Sequence, residues 1–214
     1  DDIAWTLNLR GGDVPNTPVF LSYALIGETQ VWLFVQGSMD LSLTRQLEQE
    51  GIVLKPYEEL ETFLKGLNSH TIYLDPQKIS YTLRDLLSRQ NTLYEDTSLA
   101  FCMKAQKNPI EISGHRQAQV CDGVAMIRWW RWLEQALAQQ TEISAAEALD
   151  EFRRQGEYSQ GPSFNTIVGY AANSAVGHYQ AYPESTPTLK PEGILLVDSG
   201  GQYLDGTTDI TRTI

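Results

Sequence analysis

The sequence predicts an α/β domain followed by an α+β domain, and three observations carry that reading. Short apolar runs alternate with amphipathic stretches through the first half, the pattern of a layered α/β fold. A strong helix start, Asn108-Pro109-Ile110-Glu111, marks a change of character near the middle. Beyond Ser163 the chain turns β-forming and is punctuated by glycine. The first domain is placed at residues 1–108 and the second at 109–214.

Residues 19–26 and 30–35 read as two strands joined by a hairpin at Gly27-Glu28-Thr29. Leu41 to Glu50 is an amphipathic helix closed by Gly51, a residue that adopts the left-handed cap conformation without strain. Ile52-Val53-Leu54 is a strand, Tyr57 to Leu67 a helix and Thr71 to Leu74 a strand. Ile79 to Arg89 is helical, with Leu83, Leu86 and Leu87 on one side, and Thr92-Leu93-Tyr94 is a further strand. The helix opened by Asn108 runs to about Gln140, with a kink expected at Ser113-Gly114. Its apolar stripe is Met126, Trp130, Leu133 and Leu137, opposite Arg128, Arg131, Gln135 and Gln139. Trp129, Trp130 and Trp132 are read as core or interface. Ser144-Ala145-Ala146-Glu147 has the form of a capping box for a second helix that ends near Gly156.

The 214 residues suffice for one large domain or two modest ones, and the 42% hydrophobic and 20% charged content is that of an ordinary globular protein. With 16 basic and 27 acidic side chains the formal net charge is −11, which argues against nucleic acid and anionic lipid as partners. No apolar run reaches the roughly eighteen residues of a membrane span, and Asp1-Asp2-Ile3-Ala4-Trp5 is unlike a signal peptide. Cys102 and Cys121 lie outside any CxxC spacing, so neither a disulfide scaffold nor a cysteine zinc site is expected, and a reducing cytoplasm is the expected location. The chain begins without Met and stops at Thr211-Arg212-Thr213-Ile214 in strand-like sequence, so a piece of a longer polypeptide is expected.

Chemistry concentrates near the end. In Leu195-Leu196-Val197-Asp198-Ser199-Gly200-Gly201-Gln202-Tyr203-Leu204-Asp205-Gly206-Thr207-Thr208-Asp209-Ile210, three aspartates occupy strand-like sequence that normally avoids Asp. Asp205 is accounted for by the Asp-Gly turn signal. Asp198 follows an apolar run and Asp209 precedes Ile210, so both should lie near buried backbone, where a carboxylate must be hydrogen-bonded or bind a metal. From the residues alone, capping and metal ligation both stand. No phosphate loop or serine-hydrolase elbow accompanies the glycine pairs or Ser199.

The stretch Val197 to Tyr203 followed by Asp205 to Thr213 resembles the metal-binding hairpin of the long-form Xaa-Pro aminopeptidases, the aminopeptidase P family of pita-bread metallopeptidases. Asp2-Ile3-Ala4-Trp5 with Asn8-Leu9-Arg10-Gly11, Lys104 to Asn108, Glu151-Phe152-Arg153-Arg154 and Ser163-Phe164-Asn165-Thr166-Ile167 are similar to the same family in the expected order. The resemblance implies an α/β creatinase-N-terminal-like domain, a mixed sheet with flanking helices, followed by a truncated α+β pita-bread catalytic domain. It implies that Asp198 chelates one divalent ion and Asp209 bridges two, Mn²⁺ being favoured and Zn²⁺ accepted by such oxygen ligands. Two such ions activate water and polarise a scissile carbonyl. His178, in Gly177-His178-Tyr179, matches a family histidine that contacts substrate, whereas His70 and His115 match none and read as surface or helix residues. The implied substrate is a peptide with proline in second position, and a homodimeric parent is compatible with the family. The family's remaining ligands, one His and two Glu, lie beyond Ile214, so this chain alone is expected to be inactive and to hold metal weakly at best. The alternatives are a catalytically dead pita-bread domain that binds proteins or peptides, and a metal-free creatinase-type hydrolase.

The hairpin itself poses a question of register. A two-residue turn at Asp205-Gly206 would set Asp198 opposite Thr213 and leave Asp209 roughly 14 Å along the ladder at about 3.4 Å per residue. A reversal between Tyr203 and Leu204 would set Asp198 directly opposite Asp209, and that register is the expectation.

Overall fold

The computed structural model describes residues 1–214, which form two compact units. One comprises Asp1–Val14 and Pro18–Gln106, the other Pro15–Thr17 and Lys107–Ile214.

In the first unit, α1 (Asp2–Thr6) precedes an antiparallel hairpin of β1 (Ser22–Ile26) and β2 (Val31–Val35). The turn is closed by Gly27 N–H donating to the Gln30 carbonyl at 2.9 Å. Helix α2 (Leu41–Gln49) is capped by the Asp40 carboxylate and leads through Gly51, at φ +83°, into β3 (Ile52–Pro56), which pairs parallel to β2. Strand β2 is central and buried on both faces, which explains its unbroken apolar run. Leu33 packs with Leu9, Leu47 and Ile52, while Phe34 packs with Leu60, Leu64, Leu74 and Leu87.

The segment expected as one helix from Tyr57 is a tight turn at Tyr57–Glu59 followed by α3 (Leu60–Lys65). Strands β4 (Thr71–Leu74) and β5 (Thr92–Glu95) flank α4 (Tyr81–Ser88) and pair with each other in parallel, as a ladder separate from β1–β3. The unit closes with α5 (Leu99–Ala105). Helices α1 and α5 have no counterpart in the sequence reading, because five and seven residues are too few to show a period. The Asp2 carboxylate of α1 gathers Lys78 at 2.7 Å, Ser98 at 2.8 Å and Lys104 at 3.2 Å.

The second unit opens with α6 (Pro109–Ala136), whose Asn108–Glu111 capping box forms as the residues dictate. The helix passes through Ser113-Gly114 without a break. Its buried face is Ala118, Asp122, Ala125, Met126, Trp129 and Leu133, so Met126 and Leu133 of the expected stripe are buried and Trp130 is not. Trp129 is sealed in the core with its indole N–H on the Ala145 carbonyl at 2.8 Å, whereas Trp130 is exposed. The sequence stripe shared Met126 and Leu133 with this face but passed over Asp122, because it is charged.

Helix α7 (Glu142–Arg154) starts earlier than expected. Its N-cap is Thr141, and Ser144 is the third residue of that capping box. Strands β6 (Ser159–Pro162), β7 (Ile167–Tyr170), β8 (Leu195–Ser199), β9 (Gly201–Tyr203) and β10 (Ile210–Thr213) follow. They pair antiparallel as β10-β8-β7 and β6-β9, so the chain crosses from one sheet to the other at Gly200. Met126, Trp129 and Leu133 of α6, Ala145 and Leu149 of α7, Val168, Leu195 and Val197 of the sheet, and Leu189 form one core.

Candidate metal centre

Burial alternates along β8. Leu195, Val197 and Ser199 face the core, which puts Asp198 on the opposite face. Across the ladder Asp198 lies opposite Thr211 of β10 and Ile167 of β7. The same register continues to the tip: Thr208 N–H donates to the Gly201 carbonyl at 2.9 Å and Tyr203 N–H to the Gly206 carbonyl at 2.8 Å. The chain therefore reverses at Leu204-Asp205. Both registers considered from the sequence are corrected: Asp198 faces neither Asp209 nor Thr213.

The reason is steric. Gly206 closes the reversal opposite Tyr203 but does not adopt positive φ, so the turn does not need its left-handed freedom. A Cβ on it would lie 2.8 Å from His115 Nδ1, and a Cβ on Gly114 would run into the Asp205 carbonyl. The Asp-Gly pair lets the hairpin tip seat against α6, and that contact fixes the register.

Asp209 falls two residues before Thr211, just ahead of β10, so continued strand alternation would bring it to the face of Asp198, diagonal to it. Such diagonal neighbours are about 7–8 Å apart, close enough for both carboxylates to lean toward a shared pair of ions. Thr211 Oγ1 donates to Asp198 Oδ1 at 2.7 Å. Asp198 is half-buried, but Asp209 is exposed, contrary to the expectation that it lies near buried backbone. The two donate hard oxygen atoms of the type Mn²⁺ and Zn²⁺ accept. No group of three or more His, Cys, Asp or Glu side chains suited to a metal ion gathers in this chain.

Each aspartate is positioned by its neighbour. Ser199, after Asp198, accepts from Arg153 Nη2 at 3.0 Å. Arg153 in turn is clamped to Asp122 of α6 through Nε at 2.5 Å and Nη2 at 3.3 Å, a side-on bidentate pair. Tyr203 of β9 donates to the same Asp122 carboxylate at 3.2 Å. Asp122, Arg153 and Ser199 have 0%, 1% and 0% exposure, so this is a neutralised ion pair sealed between two helices and the hairpin. Burial first, then the Asp122 charge, pushes the Tyr203 hydroxyl well above the usual range and keeps it a donor. Thr208, before Asp209, is also buried: its Oγ1 accepts from Gly201 N–H at 2.8 Å and its carbonyl accepts from Ser163 Oγ at 2.8 Å. A Cβ at Gly200 would collide with that carbonyl and with Ser163 Oγ, so only glycine fits at the crossing. None of these residues was read from the sequence as a support, although Arg153, Ser163, Ser199, Tyr203 and Thr208 all lay in the family-like stretches and Ser199 was weighed only as a nucleophile.

His178 is exposed and adopts φ +53°. It lines a groove of about 460 Å³ together with Ile167, Asp150, Phe164, Asn165 and Tyr179. Ile167 is the cross-strand partner of Asp198, so the groove borders β7, the neighbour of the Asp198-bearing strand on the side away from β10. No hydrogen bond joins His178 to Asp198 or Asp209, and neither aspartate lines the groove. Asp150 accepts from Thr166 Oγ1 at 2.6 Å, and burial pushes its carboxyl above the usual range. His70 is exposed, His115 belongs to α6, and both cysteines are free thiols. No helix is long and apolar enough to cross a membrane.

Residues 1–111 match the creatinase/prolidase N-terminal domain and residues 113–214 match metallopeptidase family M24. A Verticillium alfalfae protein named "Probable Xaa-Pro aminopeptidase P" is 40% identical over 226 residues, covering 100% of this chain and 37% of that protein. "Xaa-Pro aminopeptidase 1" of Dictyostelium discoideum is 39% identical over 222 residues, with coverage of 100% and 35%. The solved X-prolyl aminopeptidase of Caenorhabditis elegans, described as a cytosolic enzyme with a di-nuclear active site, superposes with a TM-score of 0.93 at 29% identity. That match also covers 100% of this chain and 37% of the other, so the chain spans little more than a third of the length of these relatives.

Proposed function

Because the chain belongs to the creatinase/prolidase N-terminal domain family over its first half and to metallopeptidase family M24 over its second, we propose that it is part of a metal-dependent aminopeptidase that releases the N-terminal residue of peptides with proline in second position. What supports this reading is the β8–β10 register, which sets Asp198 opposite Thr211, so that strand alternation would bring Asp209, two residues earlier, to the same face. Asp198 and Asp209 would each contribute carboxylate oxygen to a pair of divalent ions, Mn²⁺ or Zn²⁺. When bound, such a pair supplies Lewis-acid polarisation of the scissile carbonyl and an activated water. The chain's own part is to hold the two carboxylates apart at a fixed spacing and to keep Asp198 oriented through the Thr211 hydroxyl. His178 contacts the peptide from the groove wall. The C. elegans relative's di-nuclear, cytosolic character supports two ions and a cytoplasmic location.

Two aspartates are fewer ligands than a dinuclear centre requires, so residues 1–214 alone are proposed to be inactive and to bind Mn²⁺ weakly. The test compares this chain with the longer protein that carries it. Calorimetric titration with Mn²⁺ should give two tight sites only in the longer protein, and Asp209→Asn there should abolish release of the first residue from an Xaa-Pro peptide. Full activity of that variant, or turnover by residues 1–214 alone, would overturn the proposal.

A further inference from the structure

The second fully buried carboxylate of this unit, Glu142, has no exposure and no cation beside it. It stands at the first position of α7, where the helix dipole favours a negative charge. Its Oε1 accepts from the Tyr170 backbone N–H at 2.7 Å and from Asn173 Nδ2 at 3.0 Å. Its Oε2 accepts from the Tyr179 hydroxyl at 2.7 Å, and Asn173 Nδ2 also donates to that hydroxyl at 2.9 Å. Every donor lies on residues 170–179, at its two ends and its middle. Burying a carboxylate among neutral donors is unfavourable unless those bonds are all made. A site that only needed to fill space would be served better by an apolar side chain.

The residue beside this anchor is His178. Its left-handed backbone is uncommon outside glycine and is strained for most residues. Its side chain is exposed and makes no hydrogen bond within the chain. The constraint comes from Tyr179 and, through it, from Glu142.

We infer that Glu142, acting through Tyr179 and Asn173, is a positioning residue that sets where His178 stands on the groove wall beside the Asp198-bearing sheet. The value of that position rests on the proposed role of His178 as a substrate contact; the positioning itself does not. Burial and the Glu142 carboxylate push the Tyr179 hydroxyl up to about 12, so it remains a donor to Glu142 throughout the working range.

The chain has three histidines, so each imidazole can be assigned by NMR from single replacements. Glu142→Gln retains size but cannot satisfy all three donors, and Tyr179→Phe removes one hydroxyl alone. Both are expected to shift or broaden the His178 ring signals and to speed amide exchange of residues 170–179 at least tenfold. The signals of His70 and His115 and the protection of β8 and β10 should stay unchanged. Unchanged His178 signals in Tyr179→Phe would overturn the inference, also where Glu142→Gln fails to fold. In the longer metal-loaded protein, the loss of kcat caused by Glu142→Gln should vanish in a His178→Ala background, and additive losses would count against the inference. If His178→Ala leaves turnover intact, the substrate-contact reading fails, while the NMR outcome still decides the positioning.

Discussion

Thr211 stands directly opposite Asp198 across the β8–β10 ladder and donates its hydroxyl to that carboxylate at 2.7 Å. On the proposed function this pairing sets the spacing of the candidate centre, because strand alternation would bring Asp209, two residues earlier, to the same face. On the proposed function, Thr211 orients a metal ligand from outside the coordination sphere. Thr211→Val is therefore expected to weaken Mn²⁺ binding by the longer protein about 10-fold or more. Its melting temperature should change little, since Thr211 is exposed. Titration of the variant and the parent under identical salt and pH checks this, and equal affinities would remove Thr211 from the site.

Two glycines of α6 should respond to alanine in opposite directions. A Cβ at Gly123 meets nothing within 4 Å, so Gly123→Ala should stabilise by about 0.5–1 kcal/mol through helix propensity. A Cβ at Gly114 runs into the Asp205 carbonyl, so Gly114→Ala should destabilise by about 1–3 kcal/mol as an overpacked contact. Chemical denaturation of both variants measures the sign. A stabilising Gly114→Ala would mean that the hairpin tip does not seat on the helix.

The buried pair of Asp122 and Arg153 should be strongly asymmetric under mutation. Arg153→Met strands a carboxylate at 0% exposure and is expected to cost about 3–5 kcal/mol. Replacing both partners by apolar residues should recover most of that loss, since the desolvation penalty disappears with the charges. A double-mutant cycle followed by urea denaturation distinguishes this from simple loss of packing, which the second substitution would not repair.

Acid should weaken the first unit late. Burial raises the Asp2 carboxyl, but hydrogen bonds from Lys78, Ser98 and Lys104 outweigh it and hold the pKa at about 2 against an ordinary 3.8. A group depressed on folding contributes stability above its unfolded pKa and loses it as pH falls through the folded one. The contribution of Asp2 is thus complete above about pH 4 and is lost between about pH 4 and 2, amounting to about 1–2 kcal/mol after solvent screening. Asp2→Asn should flatten that part of the stability–pH curve. An unchanged slope between pH 4 and 2 would show that other carboxylates dominate.

Much of this molecule is written locally. The alternation of strands and helices through Glu95, the Asn108–Glu111 capping box and the glycine after α2 depend on neighbours in the chain, so the sequence by itself determined them. The aspartate hairpin was also legible, because carboxylates in strand sequence demand a reason. What the sequence left open depended on residues far apart. The buried face of α6 turned on Asp122, a charge that hydrophobic patterning excludes until Arg153 is found beside it. The start of α7 turned on which of Thr141 and Ser144 had a free backbone donor in reach. The reversal at Leu204-Asp205 was decided by the fit of Gly206 against His115 and of Gly114 against Asp205, contacts about ninety residues apart in the chain, which turn propensity cannot contain. A one-residue choice of turn moves every cross-strand partner, so only the tertiary contact could determine which residue Asp198 would face.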